Sequence, residues 1–431
     1  PAAGGATARF FAELGAKVIV TDKKSQDLLS PSLKQLVHLP IEFHLGGHHL
    51  VDFLNAEIIF KGPSVPWTLP EIVAAQRKNI PIEMELSFFA KYCPAKIIGI
   101  TGTRGKSTTA NLIFQILKQS GFSVYLGGNL PGISTINFLK TLDKKDFIVM
   151  ELSSWALSGF HRGKISPHIS VFTNFYPDHL NYYKNLADYL YDKKAIFMYQ
   201  GCGDYLIVNK ELKKFIAGFK TNQNIIFFDK NSFPYNLKYL KGSHNQENAA
   251  ASLQVAKILE IDEKKAVKII SQFKGLPFRQ EVVGRKNGVT FINDSTSTTP
   301  IATVKAIENF SHKPIYLILG GNSKNLPFDT LAIKLTTVKK IILIAGSFTQ
   351  EILPTLKRRF PEKLTQVYYQ LKPAVLRAYQ SAKSENGESY VLFSPAATSF
   401  SMFNNEFERG KEFNRIVNKI LNPKSEIQNK L

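Results

Sequence analysis

Short apolar runs alternate with amphipathic stretches along almost the whole chain, the pattern of an α/β protein built on mostly parallel sheets. In the first part, 17–21 and 57–60 read as strands, and Lys61-Gly62-Pro63-Ser64-Val65-Pro66 carries turn chemistry. The middle part offers strands at 97–101, 147–152, 168–174, 205–208 and 225–228, then a helical stretch over 248–259. Strands at 289–293, 314–319, 340–345 and 389–393 follow. The pattern breaks at Cys93-Pro94 and at Lys274-Gly275-Leu276-Pro277, which divides the chain into three domains, 1–92, 93–274 and 275–431. No internal repeat or low-complexity segment interrupts it, and the tail after Leu421 is polar.

Composition adds limits more than direction. A chain of 431 residues is long enough for two or three cores, and 44% hydrophobic with 21% charged residues is ordinary for a globular protein. It contains no apolar run of about 18 residues, so no membrane span is expected. Cys93 and Cys202 are too isolated for a disulfide framework or a zinc site, which points to a reducing compartment, the cytoplasm. The net charge of +21 suits polyanionic substrates such as a nucleotide. Its lysines are scattered and no aromatic-basic motif accompanies them, so nucleic acid is not an expected partner. The chain opens at Pro1 without a signal-peptide pattern and reads as a fragment lacking a first strand.

The most specific segment is Gly99-Ile100-Thr101-Gly102-Thr103-Arg104-Gly105-Lys106-Ser107-Thr108-Thr109. It follows an apolar strand and opens a helix with Leu112, Ile113, Ile116 and Leu117 at helical spacing, ending at Gly121. Such a turn aims backbone N–H groups and a helix N-terminus at phosphate oxygens. Lys106 would neutralise the β- and γ-phosphates and Ser107 would reach a Mg²⁺ ion. The strict phosphate-loop pattern has Gly where this chain has Ile100. Glu151 ends another strand, where a nucleotide-bound Mg²⁺ needs a carboxylate, and Asp178-His179 follows a third, after Thr173-Asn174. These groups fall just past strand carboxyl ends, where open α/β sheets bind ligands.

These residues, in this order, resemble the Mur ligases. The markers are collinear over almost the whole chain: Gly-Ala-Lys-Val-Ile-Val-Thr-Asp (15–22), the phosphate loop, Glu-Leu-Ser-Ser (151–154), Asp-His-Leu (178–180), His-Asn-Gln-Glu-Asn-Ala-Ala (244–250), Gly-Leu-Pro-Phe-Arg (275–279), Asn-Asp-Ser (293–295) and Ser-Pro-Ala-Ala-Thr-Ser-Phe (394–400). The likeness is greatest to the branch that adds D-glutamate to UDP-N-acetylmuramoyl-L-alanine through an acyl phosphate, in peptidoglycan synthesis. It implies a Rossmann-like N-terminal domain for the UDP precursor, a central P-loop ATPase domain and a Rossmann-like C-terminal domain for the amino acid, working as a cytoplasmic monomer with ATP and two Mg²⁺ ions.

The resemblance also implies roles. Gly102, Thr103, Gly105, Lys106, Ser107 and Thr108 would hold the nucleotide phosphates; Ser107 and Glu151 one Mg²⁺; His179 the second, with Lys193 as a carbamylated lysine. The adjacent Lys194 leaves that register open by one residue. Asn245, Asn248, Arg279 and Asp294 match the adenosine side of the nucleotide site, and Asn129 and Ser153 the UDP-sugar side. Thr298, Lys324, Ser399 and Phe400 match the glutamate side, although a local helix cap by Ser153 reads almost as well from its position and core packing by Phe400 reads better.

Several positions depart from the family pattern. Arg104 stands where an Asn is usual, as in poly-γ-glutamate synthetases; Thr296 replaces a Lys, and Glu406 falls where an aromatic is often found. Of the UDP-binding glycine turn only Gly4-Gly5 is present. The stereochemistry of the glutamate therefore stays open at this level, with poly-γ-glutamate or folylpolyglutamate synthesis as the alternative. A phosphate-loop switch protein would have no use for Lys193, Asp294 or Lys324.

Overall fold

The computed structural model describes residues 3–33, 36–130, 133–179, 182–218, 222–240, 242–385, 387–399 and 402–422. The chain forms two compact units, Pro1–Phe273 and Lys274–Leu431.

The first unit begins with two small parallel pairs, β1 (Val18–Asp22) with β2 (Ile41–Leu45), and β3 (Ile59–Phe60) with β4 (Ile82–Glu83). Gly4 and Gly5 lie in the first turn of the helix Ala3–Glu13, not in a turn ahead of it. Phe53, Leu69, Ile72 and Ala75 make a small core here. The helix Glu85–Tyr92 lies against the helix Ser154–Gly163, where a Cβ on Gly159 would stand 2.8 Å from Ser87 Oγ. Trp67 also donates its indole N–H to Ser158 Oγ at 3.1 Å, joining this segment to the six-stranded sheet that follows.

That sheet contains β5 (Lys96–Thr101), β6 (Val124–Gly128), β7 (Phe147–Glu151), β8 (Ile169–Phe172), β9 (Tyr205–Asn209) and β10 (Asn224–Phe228), in the order β10-β9-β8-β5-β7-β6, all parallel. β5 and β7 are buried on both faces, as their unbroken apolar runs demand of central parallel strands. The helices Lys106–Gln119 and Ser243–Ile258 cover one face; the small residues Ala249, Ala250, Ala251 and Ala256 let them approach closely.

The second unit has β11 (Glu281–Lys286), β12 (Val289–Asn293), β13 (Ile315–Gly320), β14 (Lys340–Ile344), β15 (Leu364–Tyr368) and β16 (Ser389–Phe393), ordered β11-β12-β16-β13-β14-β15. Only the β11–β12 hairpin is antiparallel. In β13 the side chains alternate: Ile315, Leu317 and Leu319 join Val304, Leu331 and Ile352 on one face, while Tyr316 and Ile318 join Leu371, Phe413 and Ile416 on the other.

Every strand expected from the sequence is present, with ends moved by two residues at most. β2, β4, β6, β11 and β15 were not anticipated. For β11 a signal existed: Asn287 and Gly288 both have positive φ, the Asn-Gly turn of a tight hairpin.

Candidate active site

In the first unit, the carboxyl ends of β5, β6, β7 and β8 form one edge. The loop leaving β5 is shaped by its glycines. Gly102 has φ +149° and lies against Thr173; Gly105 has φ +82°, and a Cβ there would stand 2.3 Å from Asn248 Oδ1. The helix Lys106–Gln119 then starts with its N-terminus at the loop. Lys106 Nζ folds back to the carbonyls of Gly102 and Thr103, at 3.1 and 3.2 Å. Ser107 donates its hydroxyl to Glu151 Oε2 at 2.5 Å, and both are buried at the sheet edge. Thr108 is half-buried in the first helical turn.

Asn174 and Thr173, beyond β8, brace this loop. The Asn174 carbonyl accepts from Thr103 N–H at 3.0 Å, its Oδ1 from Arg104 N–H at 2.8 Å, and the Arg104 carbonyl accepts from Thr173 Oγ1 at 2.7 Å. Sequence reasoning assigned neither residue a role; their place directly after a central strand was the available signal. On the helix side, Thr109 donates to Asn248 Oδ1 at 3.2 Å and Asn248 Nδ2 reaches Asn245 Oδ1 at 3.3 Å. The asparagine pair is thus packed onto the phosphate loop.

Lys193 is fully buried. Its ammonium donates to the Gly102 carbonyl at 2.9 Å and approaches Thr101 Oγ1 at 3.4 Å. Burial, reinforced by neighbouring Lys106, holds its pKa well below the usual lysine value, which eases loss of its proton. Lys194, one position further along the same helix, is only half-buried. Asp192 is half-buried beside Tyr183, which donates to it at 2.9 Å, and withdrawal from water raises its pKa to about 6. His179 has φ +56°, and its ring lies tilted against Trp155 and edge-on to Tyr189, with centroids 5.0 and 5.8 Å away.

Asn129 and Ser153 have different surroundings. Asn129 is exposed, with its N–H on the Glu151 carbonyl at 2.7 Å. Ser153 Oγ accepts from Ala156 N–H at 3.2 Å and caps the helix Ser154–Gly163, the local role its position also allowed. Lys61, singled out earlier only as part of a turn, is buried with its ammonium on the Val65 carbonyl at 2.9 Å and 4.4 Å from the Trp67 ring; burial lowers its pKa to about 8.

The second unit has its own polar edge, beyond β12, β16 and β13. Asp294 is buried and accepts from Ser297 Oγ at 2.5 Å, Ser394 Oγ at 2.7 Å and Gln280 N–H at 3.2 Å; burial raises its pKa to about 6. Arg279 is exposed between Phe278 and Gln280, both with positive φ, and its charge bears on Asp294. Lys324 donates to Thr298 Oγ1 at 3.1 Å. Asn322 and Thr398 bridge the adjacent loops by paired backbone hydrogen bonds. Ser399 Oγ is buried with no hydrogen-bond partner among the described residues. Arg409, also missed from sequence, ties the two loops together through the carbonyls of Ser295 and Ala397, at 2.7 and 3.1 Å. Phe400 lies outside the described residues.

Residues 100–275 match the family model for the Mur ligase middle domain. The chain is 35% identical to the UDP-N-acetylmuramoylalanine–D-glutamate ligase of Borreliella burgdorferi, over 97% of this chain and 95% of that protein. The chain belongs to the Mur ligase family. The enzyme of the same name from Roseiflexus is 33% identical, covering 96% of each chain, and that from Clostridium kluyveri 34%, covering 95% and 93%. Among solved structures, the UDP-N-acetylmuramate-alanine ligase MurC of Thermotoga maritima superposes with a TM-score of 0.61 at 19% identity, over 97% of both chains. MurF of Thermotoga maritima in complex with ADP gives 0.58 at 16%, over 84% of this chain and 94% of that one. The multidomain α/β fold is thus that of the Mur ligases, a family of ATP-dependent acid–amino-acid ligases. No helix among the described residues is long and apolar enough to cross a membrane.

Proposed function

We propose that this Mur ligase adds D-glutamate to UDP-N-acetylmuramoyl-L-alanine in the synthesis of peptidoglycan precursors. ATP phosphorylates the alanyl carboxylate, and the glutamate amine displaces phosphate from the acyl phosphate to form the amide. The observation that carries this reading is the near-full-length likeness to three ligases bearing that name. The geometry agrees with it: a phosphate loop backed by Ser107 and Glu151, with a buried amine behind it.

The residues fit a nucleotide-bound Mg²⁺. Ser107 Oγ and Glu151 Oε2 converge at 2.5 Å, a hydroxyl and one carboxylate, which suits an ion that takes its remaining oxygens from phosphates and water. The ion would neutralise charge on the transferring phosphoryl group. For a second ion we assign His179 and Lys193. An ammonium cannot be a ligand, but the buried amine is held toward neutrality and can add CO₂, releasing a proton and becoming an anionic carbamate. Burial favours Lys193 over Lys194 for this modification.

Lys106 and the loop residues Gly102, Thr103, Gly105 and Thr108 are assigned to the phosphates, and Asn245, Asn248, Arg279 and Asp294 to the nucleoside end. Asn129 and Ser153 are assigned to the UDP precursor, with Ser153 acting chiefly through its helix cap. Thr298, Lys324, Ser399 and Phe400 are assigned to glutamate; the Lys324–Thr298 contact supports this for a carboxylate, and the Ser399 hydroxyl, which has no partner among the described residues, has a donor to offer. Segments 1–92, 93–274 and 275–431 serve the UDP precursor, ATP and the amino acid in turn, in a cytoplasmic monomer.

The test is phosphate release with ATP, Mg²⁺ and UDP-N-acetylmuramoyl-L-alanine, offered D-glutamate, L-glutamate or neither. Release with D-glutamate alone, with a product heavier by one glutamyl residue, is expected. Release with L-glutamate alone would overturn the stereochemistry. Turnover of a polyglutamyl or folate acceptor in place of the UDP precursor would move the chain to the synthetase alternative that Arg104 suggests.

A further inference from the structure

We propose that Arg104 is a positioning residue that sets the place of His179 relative to the phosphate loop, acting through Asp178. The proposal rests on the reading of this edge as a metal-nucleotide site.

The Arg104 backbone is held on both sides. Its N–H donates to Asn174 Oδ1 at 2.8 Å, and its carbonyl accepts from Thr173 Oγ1 at 2.7 Å and Asn174 Nδ2 at 3.1 Å. All three bonds come from the residues directly after β8, so the side chain leaves from a fixed point of the sheet edge. Its guanidinium Nη2 lies 3.8 Å from Asp178 Oδ2, and the Asp178 side chain is only 10% exposed. A carboxylate that withdrawn from water needs a cation and hydrogen bonds to stay charged.

The same carboxylate shapes the next residue. Asp178 Oδ1 accepts from the His179 N–H at 2.9 Å, and Oδ2 lies 3.9 Å from His179 Nε2. His179 sits in the left-handed region at φ +56°, a conformation that a non-glycine residue keeps only where its surroundings impose it. Trp155 and Tyr189 wall its ring. Tyr189 in turn places its hydroxyl 3.3 Å from Thr103 Oγ1, and Thr103 also donates to the Tyr176 carbonyl at 3.1 Å. The turn carrying His179 is therefore joined to the phosphate loop by an apolar wall on one side and by the Arg104–Asp178 pair on the other. A metal shared between phosphates and an imidazole requires the distance between those two parts to be set within a few tenths of an ångström. An asparagine at 104, neutral and shorter, cannot span to Asp178 with a charge.

The competing role for the guanidinium is direct contact with a phosphate, and a double-mutant cycle separates the two. Mn²⁺ is titrated calorimetrically into the full chain saturated with β,γ-methylene-ATP, with no UDP precursor or amino acid present. Arg104→Asn, Asp178→Asn, the double variant and Arg104→Lys are compared, each checked by thermal melting. Positioning predicts that Arg104→Asn weakens the weaker Mn²⁺ site about tenfold and that Asp178→Asn does likewise. It further predicts that the double variant is within threefold of Asp178→Asn alone, and that Arg104→Lys recovers most of the loss because an ammonium can still pair with Asp178. Affinity for metal-free ADP should stay within twofold of wild type in Arg104→Asn.

Equal losses from Arg104→Asn in the wild-type and Asp178→Asn backgrounds would overturn the proposal. So would weakened nucleotide binding with Mn²⁺ affinity unchanged, which assigns the guanidinium to phosphate. If wild type binds Mn²⁺ and the analogue but does not use D-glutamate, the cycle still decides the role of Arg104 and only the substrate assignment fails. If wild type binds neither, the metal-nucleotide reading fails and this proposal with it.

Discussion

Substituting Gly105 by alanine separates the strain of a backbone conformation from the cost of a lost contact. Gly105 has φ +82° and ψ −12°, a left-handed conformation that costs an alanine about 1–2 kcal/mol. The added Cβ would stand 2.3 Å from Asn248 Oδ1, so the amide must leave its place. Asn248 is buried and cannot swing into solvent without giving up its contacts with Thr109 and Asn245. At about 1 kcal/mol for each hydrogen bond, the expected loss is about 3–4 kcal/mol in total. A change of that size lowers the melting temperature by roughly 6–15 °C in a unit of this length.

Gly121→Ala is the control. Gly121 has φ +91° at the other end of the same helix, and an added Cβ would meet nothing within 4 Å. That variant should show only the conformational part, about 1–2 kcal/mol. Thermal unfolding of the nucleotide-free protein measures both, and calorimetry with Mg-ADP measures the second consequence. Displacing Asn248 deforms the phosphate loop, so Gly105→Ala should weaken ADP at least tenfold while Gly121→Ala leaves it unchanged. Equal melting temperatures for the two variants, with equal ADP affinities, would refute the claim that Asn248 and Gly105 are mutually fitted.

Lys193→Ala should abolish turnover and regain part of it with bicarbonate or short carboxylic acids, while Lys194→Ala retains activity; full activity in Lys193→Ala would remove the carbamate from the mechanism. Lys61 titrates near 8 when folded against about 10.4 when unfolded, so between those values the unfolded chain binds more protons and stability rises with pH. The stability gap between wild type and Lys61→Met should therefore shift in favour of wild type from pH 8 to 10, and a gap independent of pH, measured by urea unfolding, would count against it. Lys324→Ala should raise the KM for glutamate by about 10-fold or more, the loss of one charge-assisted contact, with the KM for ATP within twofold; equal rises in both would show that it does not act on glutamate.

Part of this site was legible along the chain. Each phosphate-loop residue, Glu151 and His179 follow apolar runs, and unbroken apolar runs become central parallel strands whose carboxyl ends share one edge. Periodicity served less well for β2 and β15, short half-buried strands whose mixed pattern also fits a loop. Asn174 and Thr173 were passed over because nothing local tells a loop brace from an ordinary strand end. Only the pairing of β8 beside β5 brings them to Arg104.

The amino-acid sequence by itself determined the buried central strands, the family and the phosphate loop, because these depend on local periodicity, glycine conformation and collinear motifs. The tertiary structure decided which of two adjacent lysines is buried, that Ser153 spends its hydroxyl on a helix cap, and that Asp178 lies between Arg104 and His179. Those outcomes depend on side-chain direction and on contacts between residues tens of positions apart. A one-residue step along a helix turns a side chain by about 100°, from solvent to core, and no local pattern around Lys193-Lys194 says which of the two faces inward.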